Sequence, residues 1–229
     1  MRAPVATYPL KDILPDVQSL AKVLIAGWSG RDKTGVQHHI DELAALGIAP
    51  PSQTPLFYEV SRDRLNWSGC LQEVGTDSGG EVELLLWRLE GALFIGLGSD
   101  HTDRALEAHS IALSKQICDK PVSDHVIALD TLTHPLDDLR LTCDIRENGR
   151  WTAYQAGGLN GLIPPLDLLS LAEQRGAIGA TDNLAMFCGT LPAIGGVRPA
   201  DEYRMALKHG QDQTLISLEY RVQRLAARA

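Results

Sequence analysis

The chain has 229 residues, of which 44% are hydrophobic and 22% charged, and its net charge is −8 with histidine neutral. This composition is typical of a globular protein large enough to bury a core, and the acidic balance argues against a nucleic-acid-binding surface. No apolar run is long enough to span a bilayer, and the N-terminal segment lacks the apolar stretch of a signal peptide. The four cysteines are scattered and form no CxxC pair. We therefore expect a cytoplasmic protein with free thiols and without nucleic-acid or membrane partners.

The first 60 residues predict short strands and one helix. Short apolar segments occur at Val5–Leu10 and Val23–Ala26, and the second, with the glycines that follow it, predicts a strand and then a turn. Apolar residues recur at helical spacing over Thr34–Leu46, and Gly47 ends that pattern. Leu56–Val60 is the next predicted strand.

Beyond this region, strand patterns outnumber helical ones. Asn148-Gly149 is the strongest kind of two-residue hairpin signal, and it joins two strand-like segments. The predicted strands are Glu81–Trp87, Ala92–Leu97, Asp138–Ile145, Trp151–Gln155, Leu184–Cys188 and Thr214–Val222, and the predicted helices are Arg104–Cys118 and Leu166–Arg175. Many short strands, few helices and no regular βαβ alternation predict a mixed-β fold of the α+β class.

Two carboxylates lie two residues apart in the strand that begins at Glu81. In a strand, Glu81 and Glu83 point to one face and Val82 to the other. Hard divalent cations such as magnesium prefer oxygen ligands, and two converging carboxylates supply much of the charge they need. Alternating glutamates on a solvent-facing strand are the competing interpretation.

A third carboxylate follows the next predicted strand. Asp100 stands at the end of a glycine-containing apolar segment, where functional side chains concentrate. The competing interpretation is that Asp100 caps the following helix. Together with Glu81 and Glu83, Asp100 would complete a set of three oxygen ligands for a divalent metal ion.

These motifs, in this order, resemble those of the fumarylacetoacetate hydrolase superfamily. The family carries a Glu-x-Glu strand, an Asp-x-Ser/Thr-x-Arg segment, a lysine ahead of a Pro-Val element, and a later Gly-Thr element. The matching segments are Glu81-Val82-Glu83, Asp100–Arg104, Lys115 ahead of Pro121-Val122, Asp138–Leu141, Asn148-Gly149, Gln155–Gly157 and Met186–Pro192. The family's Phe-Leu-Lys-Pro segment is replaced here by Phe57–Val60.

The resemblance implies a mixed β-roll or barrel of the fumarylacetoacetase C-terminal-domain type, in a single catalytic domain over residues 1–229. Residues 1–60 would form the N-terminal strands and a lid helix, and residues 61–229 the β-roll core. It also implies a homodimer, a magnesium or manganese ion with calcium as an alternative, and Glu81, Glu83 and Asp100 as the metal ligands.

His39 and Glu42 are the candidate acid–base pair. They lie three residues apart in the predicted helix Thr34–Leu46, so they share a face and can meet. A carboxylate that orients a histidine suits it to activating water. A surface helix with mixed polar residues is the competing interpretation, and His38 is an adjacent competitor for the role. The resemblance favours the pair, because hydrolytic members carry His-x-x-Glu on a short lid helix.

Five further residues have candidate roles around the substrate. Lys115 could stabilise a developing oxyanion, and Arg31 could pair with a substrate carboxylate. Gln155 offers an amide for orienting substrate, and Thr190 beside Gly189 could donate to a carboxylate. Each has a competing interpretation: Lys115 as a solvated lysine, Arg31 as part of a surface ion pair, Gln155 as a strand end, and Gly189-Thr190 as part of a turn.

The predicted function is therefore divalent-metal-dependent hydrolysis of a carbon–carbon bond in a 2-oxo or 2,4-dioxo acid. The small anionic substrate would chelate the ion, and the ion would polarise its carbonyl group. Hydration, isomerisation or decarboxylation of a 2-oxo acid is the alternative on the same metal site. A non-catalytic protein that binds a small acid, or that only dimerises, is the second alternative.

Overall fold

The computed structural model describes residues 5–45, 50–210 and 213–226. The strands are β1 (Tyr8–Pro9), β2 (Lys22–Gly27), β3 (Leu56–Val60), β4 (Leu65–Asn66), β5 (Cys70–Val74), β6 (Ser78–Gly79), β7 (Val82–Leu89), β8 (Ala92–Ser99), β9 (Thr102–Asp103), β10 (Lys120–Pro121), β11 (His125–Ala128), β12 (Leu139–Glu147), β13 (Arg150–Gly158), β14 (Leu184–Phe187), β15 (Glu202–His209) and β16 (Gln213–Leu225). The α-helices are α1 (Leu10–Ile13), α2 (Lys33–Ala45), α3 (Arg104–Glu107), α4 (Ile111–Ile117) and α5 (Pro165–Gln174). In these ranges no helix is long and apolar enough to cross a membrane.

Two larger sheets organise the molecule. The first has seven strands in the order β1-β11-β8-β7-β14-β2-β3, and the second has five in the order β13-β12-β15-β16-β5. Two small two-stranded sheets, β10-β4 and β6-β9, complete the pairing within the described residues. Both parallel and antiparallel neighbours occur in each larger sheet. The predicted α+β class with mixed sheets and few short helices is therefore confirmed.

The main core lies between the two larger sheets. Leu84 and Leu86 of β7 share one cluster of buried side chains with Leu141 of β12 and Leu207 of β15. The intervening residues of β7 point to the opposite face, where Trp87 joins a second buried cluster. Because β7 is covered on both faces, every one of its residues is buried, which explains why its sequence is almost continuously apolar.

The hairpin between β12 and β13 forms as the sequence predicts. Glu147 pairs with Arg150 across the two-residue turn. Asn148 and Gly149 have φ values of 49° and 77°, the left-handed conformation that favours the Asn-Gly pair at a tight hairpin turn.

Local structure differs from the predictions in the helical region and in the number of strands. The apolar segment Val5–Leu10 contains the two strand residues of β1, and helix α1 begins at Leu10. The single helix predicted over Arg104–Cys118 is divided into α3 and α4, because the Ser110 side chain accepts a hydrogen bond from the Leu113 amide and starts a new helix. Strands β5, β11 and β15 and the two-residue strands β4, β6, β9 and β10 were not predicted, although alternate residues of β15 are buried.

Candidate metal centre

Pairing between β7 and β8 brings the three candidate ligands together. Glu83 lies opposite Gly98 in the antiparallel ladder, and the amide of Asp100 donates to the carbonyl of Glu81 at 3.0 Å. One carboxylate oxygen from each of Glu81, Glu83 and Asp100 lies within 4.8 Å of the other two. The three carboxylates that the sequence predicts as ligands therefore form one cluster, although they come from two separate segments.

The loop that follows β14 contacts the Glu83 carboxylate. The amide of Gly189 donates to Glu83 Oε2 at 2.7 Å. Gly189 has a φ of 97°, and a Cβ atom there would lie 1.8 Å from the hydroxyl oxygen of Ser29. Only glycine fits this close approach. The predicted site residue Gly189 thus contacts a candidate ligand through its backbone.

The charge balance around Glu83 fits a divalent cation. Glu83 is only 2% exposed, and burial, together with the neighbouring carboxylates of Asp100 and Glu81, raises its pKa well above the usual range. Within the part of the chain that the structure describes, no basic side chain forms an ion pair with it. Buried carboxylates are normally paired or bound to metal, and oxygen donors are those that magnesium, manganese and calcium prefer.

Asp100 is contacted by two buried lysines. Lys115 from α4 approaches Oδ2, and Lys120 from β10 lies 3.1 Å from Oδ1. Burial raises the pKa of Asp100, but the two ammonium groups outweigh burial and hold that pKa well below its usual range. Asp100 therefore stays ionised.

Lys120 is a site residue that the sequence interpretation missed. Its side chain is fully buried, and its ammonium group also donates to the carbonyl of His101. Burial lowers its pKa despite the nearby Asp100. The family carries a lysine ahead of its Pro-Val element, and the sequence analysis matched that lysine to Lys115. Lys120 stands directly before Pro121-Val122, and this position was the signal that could have identified it.

Glu81 forms an ion pair with Arg104, the arginine that ends the Asp100–Arg104 segment. Arg104 Nη2 lies 3.0 Å from Glu81 Oε1, and Arg104 Nη1 lies 2.9 Å from Glu107 Oε2. The guanidinium group therefore links a candidate ligand to a second carboxylate. This contact places positive charge beside Glu81.

Gln155 and Thr190 hold the backbone between the two glutamates. The Val82 amide donates to Gln155 Oε1 at 2.9 Å, and Thr190 Oγ1 donates to the Val82 carbonyl at 2.8 Å. Gln155 Nε2 in turn donates to Thr190 Oγ1 at 2.9 Å and to the Leu191 carbonyl at 2.6 Å. Both residues thus contact the ligand-bearing strand, and their substrate-binding roles remain predictions.

A buried polar network surrounds His101, the residue after Asp100. Its ring nitrogens lie 3.1 Å from the Tyr220 hydroxyl and 3.0 Å from the Ser78 hydroxyl. Burial, with the positive charge of Lys120, lowers the pKa of His101 to about 3, so the ring is neutral at neutral pH. The Tyr220 hydroxyl also lies 3.0 Å from Ser99 Oγ, which accepts from the Glu81 amide.

The remaining predicted residues lie at the N-terminal side. Arg31 makes a two-pronged ion pair with exposed Asp137, at 2.8 and 2.9 Å, and donates to the Leu162 carbonyl. The backbone of helix α2 includes positions 39 and 42, but the side chains of His39 and Glu42 lie outside the described residues. The catalytic pair therefore remains a prediction.

Comparisons with known structures show the fold. The chain is similar to 2-keto-3-deoxy-D-arabinonate dehydratase complexed with magnesium and 2,5-dioxopentanoate, with 16% identity, a TM-score of 0.64, and coverage of 91% of this chain and 74% of that one. It is also similar to maleylpyruvate hydrolase from Sphingobium sp. SYK-6, with 13% identity, a TM-score of 0.60, and coverage of 90% and 72%. These likenesses confirm the predicted fumarylacetoacetase C-terminal-domain type of fold.

Sequence comparison places the chain in a family without indicating an activity. No curated protein matches it. The family described as "Protein of unknown function (DUF2848)" matches residues 26–220, which is most of the chain, and the protein belongs to that family.

Proposed function

We propose that this protein is a divalent-metal-dependent enzyme that acts on a small anionic 2-oxo acid. The observation that carries the proposal is the cluster of Glu81, Glu83 and Asp100, in which buried Glu83 has no ion-pair partner among the described residues. The similar dehydratase structure that contains magnesium and 2,5-dioxopentanoate supports the choice of ion and substrate class.

The residues around the cluster have separable tasks. Glu81, Glu83 and Asp100 would hold the ion, which when bound supplies Lewis-acid polarisation of a substrate carbonyl group. Lys115, whose ammonium group contacts Asp100, adds fixed positive charge beside the cluster and would stabilise negative charge that develops on the substrate. The Gly189 amide keeps the Glu83 carboxylate in place through its 2.7 Å hydrogen bond.

Hydrolysis of a carbon–carbon bond in a dioxo acid is the reaction that we propose first. The reason is the His39–Glu42 pair, which the resemblance assigns to water activation and proton transfer. Helix α2 carries both positions and would act as the lid that closes over the substrate. The homodimer and manganese as the ion are further parts of the proposal that rest on the resemblance. The cytoplasmic location is also proposed, on the composition and the scattered cysteines.

Metal titration of the purified protein tests the proposal. Magnesium or manganese should raise the unfolding temperature in a concentration-dependent way, because a ligand that binds the native state stabilises it. Glu83→Gln should abolish that shift, since it removes a charged ligand. The control is Glu90→Gln, which removes a carboxylate at the far, exposed end of the same β7–β8 hairpin and should leave the shift intact.

The outcomes separate the alternatives. A wild-type protein without a metal-dependent shift would refute the metal-enzyme proposal and support a non-catalytic scaffold. If the shift is present, product analysis with candidate 2-oxo acids identifies the reaction: hydrolysis releases two acids, decarboxylation releases carbon dioxide, and hydration adds mass without cleavage. Either of the last two products would overturn hydrolysis while leaving the metal site in place.

A further inference from the structure

Two aromatic side chains meet where β2 ends, one from Trp28 just after β2 and one from Tyr58 in the middle of β3. Trp28, which directly follows β2, has a φ of 60°, a conformation that bulky residues rarely adopt. Its indole Nε1 lies 3.3 Å from the Tyr58 hydroxyl. A Cβ atom on Gly27 would lie 2.8 Å from the Tyr58 ring, so the chain passes tightly over this ring. Strained backbone of this kind is often found where a side chain is held for binding.

This aromatic pair, Trp28 and Tyr58, adjoins the candidate metal centre on two sides. The Lys115 ammonium group, which contacts Asp100, lies 5.9 Å from the centre of the Tyr58 ring. On the other side, Ser29 follows Trp28 and packs against Gly189, whose amide binds Glu83. The pair therefore lies next to residues that contact the carboxylate cluster.

The Tyr58 hydroxyl can donate a hydrogen bond to a bound molecule. An indole N–H only donates, so the Tyr58 oxygen accepts in its contact with Trp28 and keeps its own hydrogen for another acceptor. Among the described residues, no acceptor takes that hydrogen. Tyr58 is partly exposed, and the one carboxylate on α3, Glu107, is already paired with Arg104 at 2.9 Å.

We propose that Tyr58, oriented by Trp28, is a substrate-contacting specificity residue. Its hydroxyl would donate to an oxygen acceptor, best a second carboxylate, at the end of the substrate remote from the metal. Lys115 lies on the same side and adds positive charge that favours an anionic group. This inference rests on the proposed function and narrows it to 2-oxo acids that carry a distal carboxylate.

Matched pairs of acids test the role of Tyr58. Titration calorimetry of the magnesium-loaded protein would compare 2-oxoglutarate with 2-oxopentanoate, and 2-oxoadipate with 2-oxohexanoate, since each pair differs only in the distal carboxylate. The wild-type protein should prefer a diacid over its partner. Tyr58→Phe should weaken diacid binding by roughly tenfold, as expected for a hydrogen bond to a charged group, and should change binding of the mono-acid by less than about twofold.

Two further variants provide an independent test and a control. Trp28→Phe should reduce the diacid preference by a smaller factor, because the Tyr58 hydroxyl would lose its fixed orientation. If Tyr58→Phe does not fold, Trp28→Phe tests the proposal in its place. Tyr8→Phe removes a hydroxyl from an exposed tyrosine of β1 and should change neither affinity.

The failures are distinguishable. If wild type binds mono-acids and diacids equally, or if Tyr58→Phe weakens both members of a pair alike, the specificity role is wrong and the proposed function stands. If wild type shows no magnesium-dependent binding of any of the four acids, the Tyr58 proposal fails, and the metal-dependent thermal shift decides whether the proposed function fails with it.

Discussion

The two halves of the candidate site differ in how firmly the fold holds them. Glu83 and Asp100 are buried on or beside the central strands β7 and β8, and backbone amides and lysines contact their carboxylates. Helix α2, which carries the positions of the predicted catalytic pair, has Ile40 as a buried residue while most of its other described side chains are exposed. The carboxylate cluster is part of the core, whereas helix α2 presents mostly exposed side chains among those described.

Because of this difference, we expect the carboxylate cluster to determine metal binding and helix α2 to determine which reaction follows. Residues on a central, doubly covered strand can change only with a large loss of stability. An exposed helix can change its side chains without disturbing the sheets. We therefore expect metal binding and turnover to respond independently to mutation, and the following predictions test that independence.

The largest effect should come from the predicted base, His39. His39→Ala should lower turnover by roughly a hundredfold to ten-thousandfold, the usual contribution of a general base. Metal affinity should not change, because the ligands are on other elements. The measurement is kcat on the acid identified by product analysis, with His38→Ala as the matched control on the same helix. Full turnover by His39→Ala would show that the pair has no catalytic role.

The next largest effect should be on stability. Lys120→Met removes a fully buried ammonium group from Asp100 and leaves the His101 carbonyl without its donor. We expect the free energy of unfolding to fall by about 3 kcal/mol, in the range for breaking a buried ion pair. Chemical denaturation measures it. Exposed Lys11→Met should change the value by less than about 0.5 kcal/mol; an equal loss in both variants would contradict the structural role of Lys120.

A smaller effect on metal affinity should follow from Gln155→Leu. This change removes the acceptor of the Val82 amide, so the strand between Glu81 and Glu83 loses its support. Metal affinity should fall roughly tenfold or more, as for other residues that orient ligands. Calorimetric titration with magnesium measures the change, and Gln72→Leu at an exposed position of β5 is the control. Unchanged metal affinity with a raised KM would instead support the predicted substrate-binding role of Gln155.

The smallest effect should come from Arg31. Its guanidinium group already makes an exposed, two-pronged ion pair with Asp137, so any substrate must compete with that partner. Arg31→Ala should raise KM by no more than about fivefold and leave kcat and the unfolding temperature unchanged. Arg146→Ala breaks the comparable exposed pair with Glu202 and should leave KM at the wild-type value. A large fall in kcat for Arg31→Ala would place Arg31 in the catalytic machinery.

Much of this architecture was readable from local sequence patterns. Alternation places Glu81 and Glu83 on one face, the apolar run of β7 marks a strand covered on both sides, and Asn148-Gly149 marks the hairpin. These features depend on the two-residue period of a strand and on the conformations that individual residues prefer. The order of motifs then added Asp100 to the cluster through the resemblance.

What the sequence by itself determined, therefore, is the element pattern and the identity of the three carboxylates. Only the tertiary structure decided that Lys120 contacts Asp100, that Gln155 supports Val82, and that Tyr58 meets Trp28 beside Lys115. Each of these contacts joins elements that are distant along the chain. They depend on strand register and on the packing of one layer against another, which have no period in the sequence.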